Sequence, residues 1–142
     1  MEVNDIIVAI SQKLQEVFGS DYEKYVEELP QEVKTPCFLI QFQNLEQKQQ
    51  IGKRWRITTL FNVKYFPQNG AVELANMSLK IQQALKEITL FNGSKLLSTG
   101  ANSKPVEGIL HNFMNFNFFL QEVEAKDFME SLEQHQPLKG DE

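Results

Sequence analysis

The sequence is short of the residues that most often carry chemistry. It has one cysteine, Cys37, so no internal disulfide can form. Cys37 lies in the apolar run Pro36-Cys37-Phe38-Leu39-Ile40, where a lone thiol behaves as a small core residue. Of the two histidines, His135 falls in a polar C-terminal stretch and His111 in a late strand pattern, and neither adjoins a nucleophile. No cysteine and histidine cluster offers zinc spacing. There is no glycine-rich phosphate loop, dinucleotide fingerprint or nucleophile elbow. Glu27, Glu28 and Glu32 are the densest carboxylates before the C-terminal stretch. Glu27 and Glu28 are neighbours on a strand candidate, so they point to opposite faces and cannot serve one site. No apolar run approaches the roughly 18 residues of a membrane span. The first residues, Met1-Glu2-Val3-Asn4-Asp5, are acidic, unlike a secretory leader. Without disulfides or a leader, the chain reads as cytoplasmic.

One-signed charge is also missing from most of the chain. The formal net charge is −5, and residues 122–142 hold seven acids and two bases. Twelve of each then remain in residues 1–121, which sum to zero. A neutral body has little long-range repulsion between copies. It also lacks the overall basic character of a duplex-DNA binder.

What is present is apolar bulk in a one-domain length. At 142 residues the chain can bury a core without metal or disulfide. Eleven of its fifteen aromatic residues are Phe, which brings buried area and no polar handle. Val3, Ile6, Ile7, Ile10, Leu14, Val17 and Phe18 recur at helical spacing, which predicts a helix over 4–18, capped by Asn4 or Asp5 and ended at Gly19. Tyr22–Leu29 and Cys37–Phe42 read as strands. From Arg54 to Tyr65 the pattern alternates, with Trp55, Ile57, Thr59, Phe61, Val63 and Tyr65 on one face. After Asn69-Gly70, the residues Leu74, Met77, Ile81, Leu85 and Ile88 predict a second helix. Strands follow over Lys95–Ser103 and Val106–Val123, the latter with Leu110, Met114, Phe116, Phe118 and Leu120 on one face and Ile109, Phe113 and Phe119 on the other. In this reading all five prolines fall at boundaries.

The expected fold class is α+β: an antiparallel sheet of four to five strands, two helices on one face, order α-β-β-β-α-β-β. Residues 1–123 are expected to form the domain, and 124–142 an acidic, flexible tail.

The segment between the second and third strands is unusual. Residues 43–50, Gln-Asn-Leu-Glu-Gln-Lys-Gln-Gln, are almost wholly polar, with no proline and with Gly52 as the only glycine before Trp55. A long hairpin turning near Gln50-Ile51-Gly52 accounts for this, its strands of about 13 residues reaching roughly 40 Å. Both arginines of the protein, Arg54 and Arg56, lie on its returning strand near Lys48 and Lys53. Arginine is favoured at interfaces. An isolated two-stranded ribbon is marginal in water, so a neighbouring subunit is one source of order for it. A solvated loop of about ten residues fits the pattern equally. On the first reading, Gln47, Lys48, Gln50, Ile51, Lys53, Arg54 and Arg56 form a subunit interface.

Taken in order, several pieces carry a resemblance. They are Val3-Asn4-Asp5-Ile6; Glu27-Glu28 leading to Pro36-Cys37-Phe38-Leu39-Ile40; Lys53-Arg54-Trp55-Arg56; Tyr65-Phe66-Pro67 before a helix; and Val106-Glu107-Gly108-Ile109-Leu110-His111 running into Phe116-Asn117-Phe118. Over residues 3–121 the chain resembles the tail terminator proteins of siphophages, myophages and prophages of Gram-positive bacteria. The resemblance implies a small α+β domain without catalytic residues, cofactor or metal. It implies a homo-oligomeric ring, usually six-fold, that caps the tail tube and stops its growth, and it leaves open whether the isolated chain is a monomer. The implied partners are other copies of the chain, the tail tube protein and a head-completion or connector protein, with DNA only passing through the lumen and no membrane. The implied location is the host cytoplasm during assembly, then the head-proximal end of the virion tail. Another neck or tail-completion protein of similar fold is the alternative. A single-stranded nucleic-acid platform built on Phe113 and Phe119 is a third reading, weakened by the scarcity of nearby cations.

Overall fold

The computed structural model describes residues 2–121. The expected acidic tail, 124–142, and Val123 lie outside the described residues. The elements run α1 (Val3–Phe18), β1 (Glu23–Val26), β2 (Cys37–Gln49), β3 (Arg54–Phe66), α2 (Val72–Ala84), β4 (Glu87–Thr89), β5 (Lys95–Val106) and β6 (Ile109–Gln121). By contact density the described residues separate into two compact units: 2–46 with 58–117, and 47–57 with 118–121.

The strands form one sheet in the order β1-β2-β3-β6-β5-β4. The class is α+β as expected, but two parts of the expectation are corrected. The sheet has six strands rather than four to five, because Ile88 belongs to β4 and not to the second helix. It is also mixed rather than antiparallel: β1 runs parallel to β2, with Glu23 opposite Cys37 and Val26 opposite Ile40. The ten residues between β1 and β2 are enough to bring the chain back and enter the sheet in the same direction. β5 pairs antiparallel with β6 and with β4.

Helix α1 forms where expected but with Glu2 rather than Asn4 or Asp5 at its N-cap, and α2 forms where expected but ends at Ala84. Asp5, one turn inside α1, accepts the Glu2 N–H at 2.9 Å, and so caps the helix from within. At the other end Lys24 donates to the Gly19 carbonyl, placing a cation where the helix leaves carbonyls unpaired. Ile6, Ile10 and Leu14 are fully buried. Leu74, Met77 and Ile81 turn the apolar stripe of α2 inward. Both helices cover the same sheet face. Phe18 of α1 packs on Phe38 of β2, Phe38 packs on Tyr65 of β3, and the Tyr65 hydroxyl donates to Glu73 of α2 at 2.9 Å.

On β3 the predicted face, Trp55 to Tyr65, is buried from Ile57 onward and half-buried at Trp55. On β6 the inward face is buried at Leu110, Asn112, Met114 and Phe116, half-buried at Phe118 and exposed at Leu120. Asn112 is a polar residue in this row. It is satisfied: its Oδ1 accepts the Ser103 hydroxyl at 2.5 Å and its Nδ2 donates to the Val63 carbonyl at 2.8 Å. The network continues to α2, where Gln82 donates to the Ser103 hydroxyl.

Pro105, expected at a boundary, stands inside β5 opposite Leu110. The strand tolerates it because β4 pairs only with Lys95–Leu97, leaving that stretch of β5 as a sheet edge.

Candidate assembly interface

The second compact unit contains every residue of the predicted interface: Gln47 and Lys48 at the end of β2, Gln50, Ile51 and Lys53 in the turn, and Arg54 and Arg56 at the start of β3. The structure brings them together on one hairpin tip. The Gln50 N–H donates to the Arg54 carbonyl at 2.7 Å, closing the turn. Gly52 takes φ +77°, a left-handed conformation that a side chain resists. Four residues between strands permit only an antiparallel pair, so the predicted hairpin is present. Its β2 arm is buried from Cys37 to Ile40 and exposed from Phe42 to Gln49.

The isolated two-stranded ribbon is corrected. β6 is the neighbour of β3 in the sheet, so the unit also holds Phe118–Gln121. The Arg54 guanidinium lies over the Phe119 ring, 3.9 Å from its centroid. Gln47, Trp55, Leu120 and Gln121 line a concavity of about 420 Å³. Phe119 and Leu120 are therefore structural neighbours of the tip that the sequence reading assigned elsewhere. No local signal in the sequence pairs the runs Arg54–Tyr65 and Val106–Val123, whose lengths differ.

The electrostatics of the tip are predominantly basic. Residues 45–57 carry Lys48, Lys53, Arg54 and Arg56 against one acid, Glu46, and 118–121 carry no charge. Ile51 at the turn is 98% exposed.

The residues weighed for chemistry do not converge. Cys37 is wholly buried, and its thiol is pushed up to about 11 by burial, with the Glu23 carboxylate adding to the effect. Such a thiol is a poor nucleophile at neutral pH. His111 is half-buried beside Asn62, with Asn62 Nδ2 3.0 Å from its Nδ1, and stacks on Phe113. Burial holds its pKa below the usual value, and Lys64 and Lys104 add to that. Glu27 is not merely solvated: at φ +66° its carboxylate accepts the Phe42 N–H and its carbonyl the Gln41 amide. It braces the β1–β2 pair. Among the described residues no group of three or more His, Cys, Asp or Glu could hold a metal ion, and no helix is long and apolar enough to cross a membrane.

The sequence matches the family model described as phage tail terminator protein over residues 5–128. The chain belongs to the phage tail terminator family. It is thus a phage tail-completion structural protein. A chain of the solved virion of a native gene transfer agent particle is similar in fold, with a TM-score of 0.48 and 13% identity, covering 81% of this chain and 93% of that one. No curated protein sequence matches the chain. The terminator match takes in the whole hairpin tip and β6, and stops before the last 14 residues.

Proposed function

We propose that the chain closes the end of a tail tube as a ring of identical copies, halting tube growth and presenting a surface to a head-completion or connector protein. The observation that carries this reading is the terminator match, which spans nearly the whole chain. The role is structural rather than catalytic, and needs no cofactor. The protein acts in the host cytoplasm during assembly and stays at the head-proximal end of the tail. Residues 1–123 form the working domain, with 124–142 as an acidic appendage.

The contact between copies is assigned to the hairpin tip, through Gln47, Lys48, Gln50, Ile51, Lys53, Arg54 and Arg56. Two features support it. The tip concentrates four cations around an exposed isoleucine, and residues 1–121 as a whole are neutral, so this part of one copy does not repel the same part of the next.

Electron microscopy of tails assembled with and without the protein tests the function. Tubes of unregulated length without it, and of uniform length once it is restored, are the expected result. Tubes of the same length distribution in both preparations would refute the capping role. For the tip, deletion of residues 45–52 is expected to abolish self-association measured by sedimentation.

A further inference from the structure

A ring of more than two copies uses a heterologous contact, in which the patch on one copy meets a different patch on the next. If the hairpin tip is the outgoing surface, the receiving surface lies elsewhere on the same chain. The body, residues 2–46 with 58–117, holds one apolar groove suited to it. Leu74 and Leu110 form its floor, Ala71, Ala75 and Pro105 its exposed walls, with Ser78 and Ser103 at the side, around a volume of about 280 Å³. No charged side chain lines it. Val72, beside Ala71 on the first turn of α2, is 86% exposed, so apolar surface continues past the groove's edge.

The groove owes its shape to small residues. Ala71, Ala75 and Ser78 follow one another along one side of α2, where larger side chains would fill the space against β5 and β6. Pro105 and Leu110 stand opposite each other in the β5–β6 ladder and close the far wall.

Charge complements shape. The segments 69–79 and 105–110 supply six of the seven lining residues. They contain no base; of their two acids, Glu107 is exposed on the turn between β5 and β6, whereas Glu73 turns away to accept the Tyr65 hydroxyl and the Asn69 N–H. The nearby Lys104 belongs to the other sheet face, where it pairs in register with His111. The tip carries four cations and one acid, Glu46. Its one fully exposed apolar side chain, Ile51, is branched, compact and small enough for a groove of this volume.

We propose that Ile51 of one copy seats in the Ala71–Leu74–Ala75–Pro105–Leu110 groove of a second copy, with the basic residues around it facing Glu107. This rests on the hairpin tip being the contact between copies. The occupant is a second copy of this chain rather than a foreign peptide, because the exposed isoleucine, its basic setting and the acidic edge of the groove are all supplied by one sequence.

Disulfide trapping in the full chain tests it. Ile51→Cys and Ala75→Cys variants are mixed in equal amounts under mild oxidation, with Asn92→Cys replacing Ala75→Cys as the exposed control; the native Cys37 is buried. Docking raises the local concentration of the matched thiols, so about tenfold more linked dimer is expected from the Ile51 and Ala75 pair than from the control pair. The excess should fall with added salt and in a Glu107→Lys background. Equal yields from the two pairs would overturn the proposal. If deletion of 45–52 abolishes self-association but the two yields are equal, the tip remains the contact and the groove is not its receptor. If the deletion leaves association intact, the tip reading fails as well.

Discussion

The Arg54 guanidinium carbon lies 3.9 Å from the centroid of the Phe119 ring, tying the first residue of β3 to the far end of β6. Phe119 is 49% exposed, so the cation keeps contact with water. At such a site a cation on an aromatic face contributes about 0.5–1 kcal/mol. A double-mutant cycle of Arg54→Ala and Phe119→Ala, read by hydrogen exchange of amides in 54–57 and 118–121, should give a coupling of about that size. Exchange rates at these amides unaffected by either change would show that the pair does not hold the tip.

The same contact shows where the sequence was legible and where it was not. The alternation from Arg54 and from Val106 announced both strands, because a period of two is written in single residues. Their adjacency was not announced, since strand order depends on long-range pairing that no local pattern records. β1 was found, but not its parallel partner, because direction is decided by how the chain returns between Val26 and Cys37. β4 was absorbed into α2 because Leu85 and Ile88 continue the helical spacing beyond the last helical residue, Ala84. The hairpin residues were legible from their unusual polarity. The groove walled by Ala71, Ala75 and Pro105 was not, since small residues mark a cavity only once their neighbours in space are known.

Asn112 is the polar centre of the β6 inner face. Replacing it with Leu keeps the volume but removes the side-chain donor to the buried Val63 carbonyl, while the half-buried Ser103 hydroxyl keeps only Gln82. Each buried group left unpaired costs about 1–3 kcal/mol. Urea denaturation of Asn112→Leu should therefore show a loss of at least about 1 kcal/mol with an unchanged slope. Wild-type stability would mean that the network does not brace α2 against the sheet.

Cys37 should report global unfolding. The thiol is wholly buried and raised to about 11, by burial first and by Glu23 second, so little thiolate exists at pH 8. Labelling by an aromatic disulfide reagent at pH 8 is expected to be slow in the native protein and to accelerate in step with denaturant unfolding. Rapid labelling of the folded chain would contradict the packing of β2.

His111 sets a pH dependence whose sign can be worked out. Its folded pKa lies below the usual value, chiefly through burial, with Lys64 and Lys104 opposing a third positive charge. The unfolded chain titrates near 6.5, so between that pH and the folded value the unfolded state binds more protons. Stability from this group is thus complete above about pH 6.5 and declines as the pH falls through the folded pKa. Melting temperatures followed downward from pH 7 should fall in the wild type and fall less in His111→Gln, which cannot take up the proton. In Lys64→Ala and Lys104→Ala, the NMR titration midpoint of His111 should move up toward the unfolded value. A midpoint unmoved in both would leave burial as the sole cause, and identical melting profiles for wild type and His111→Gln would remove His111 from the acid response.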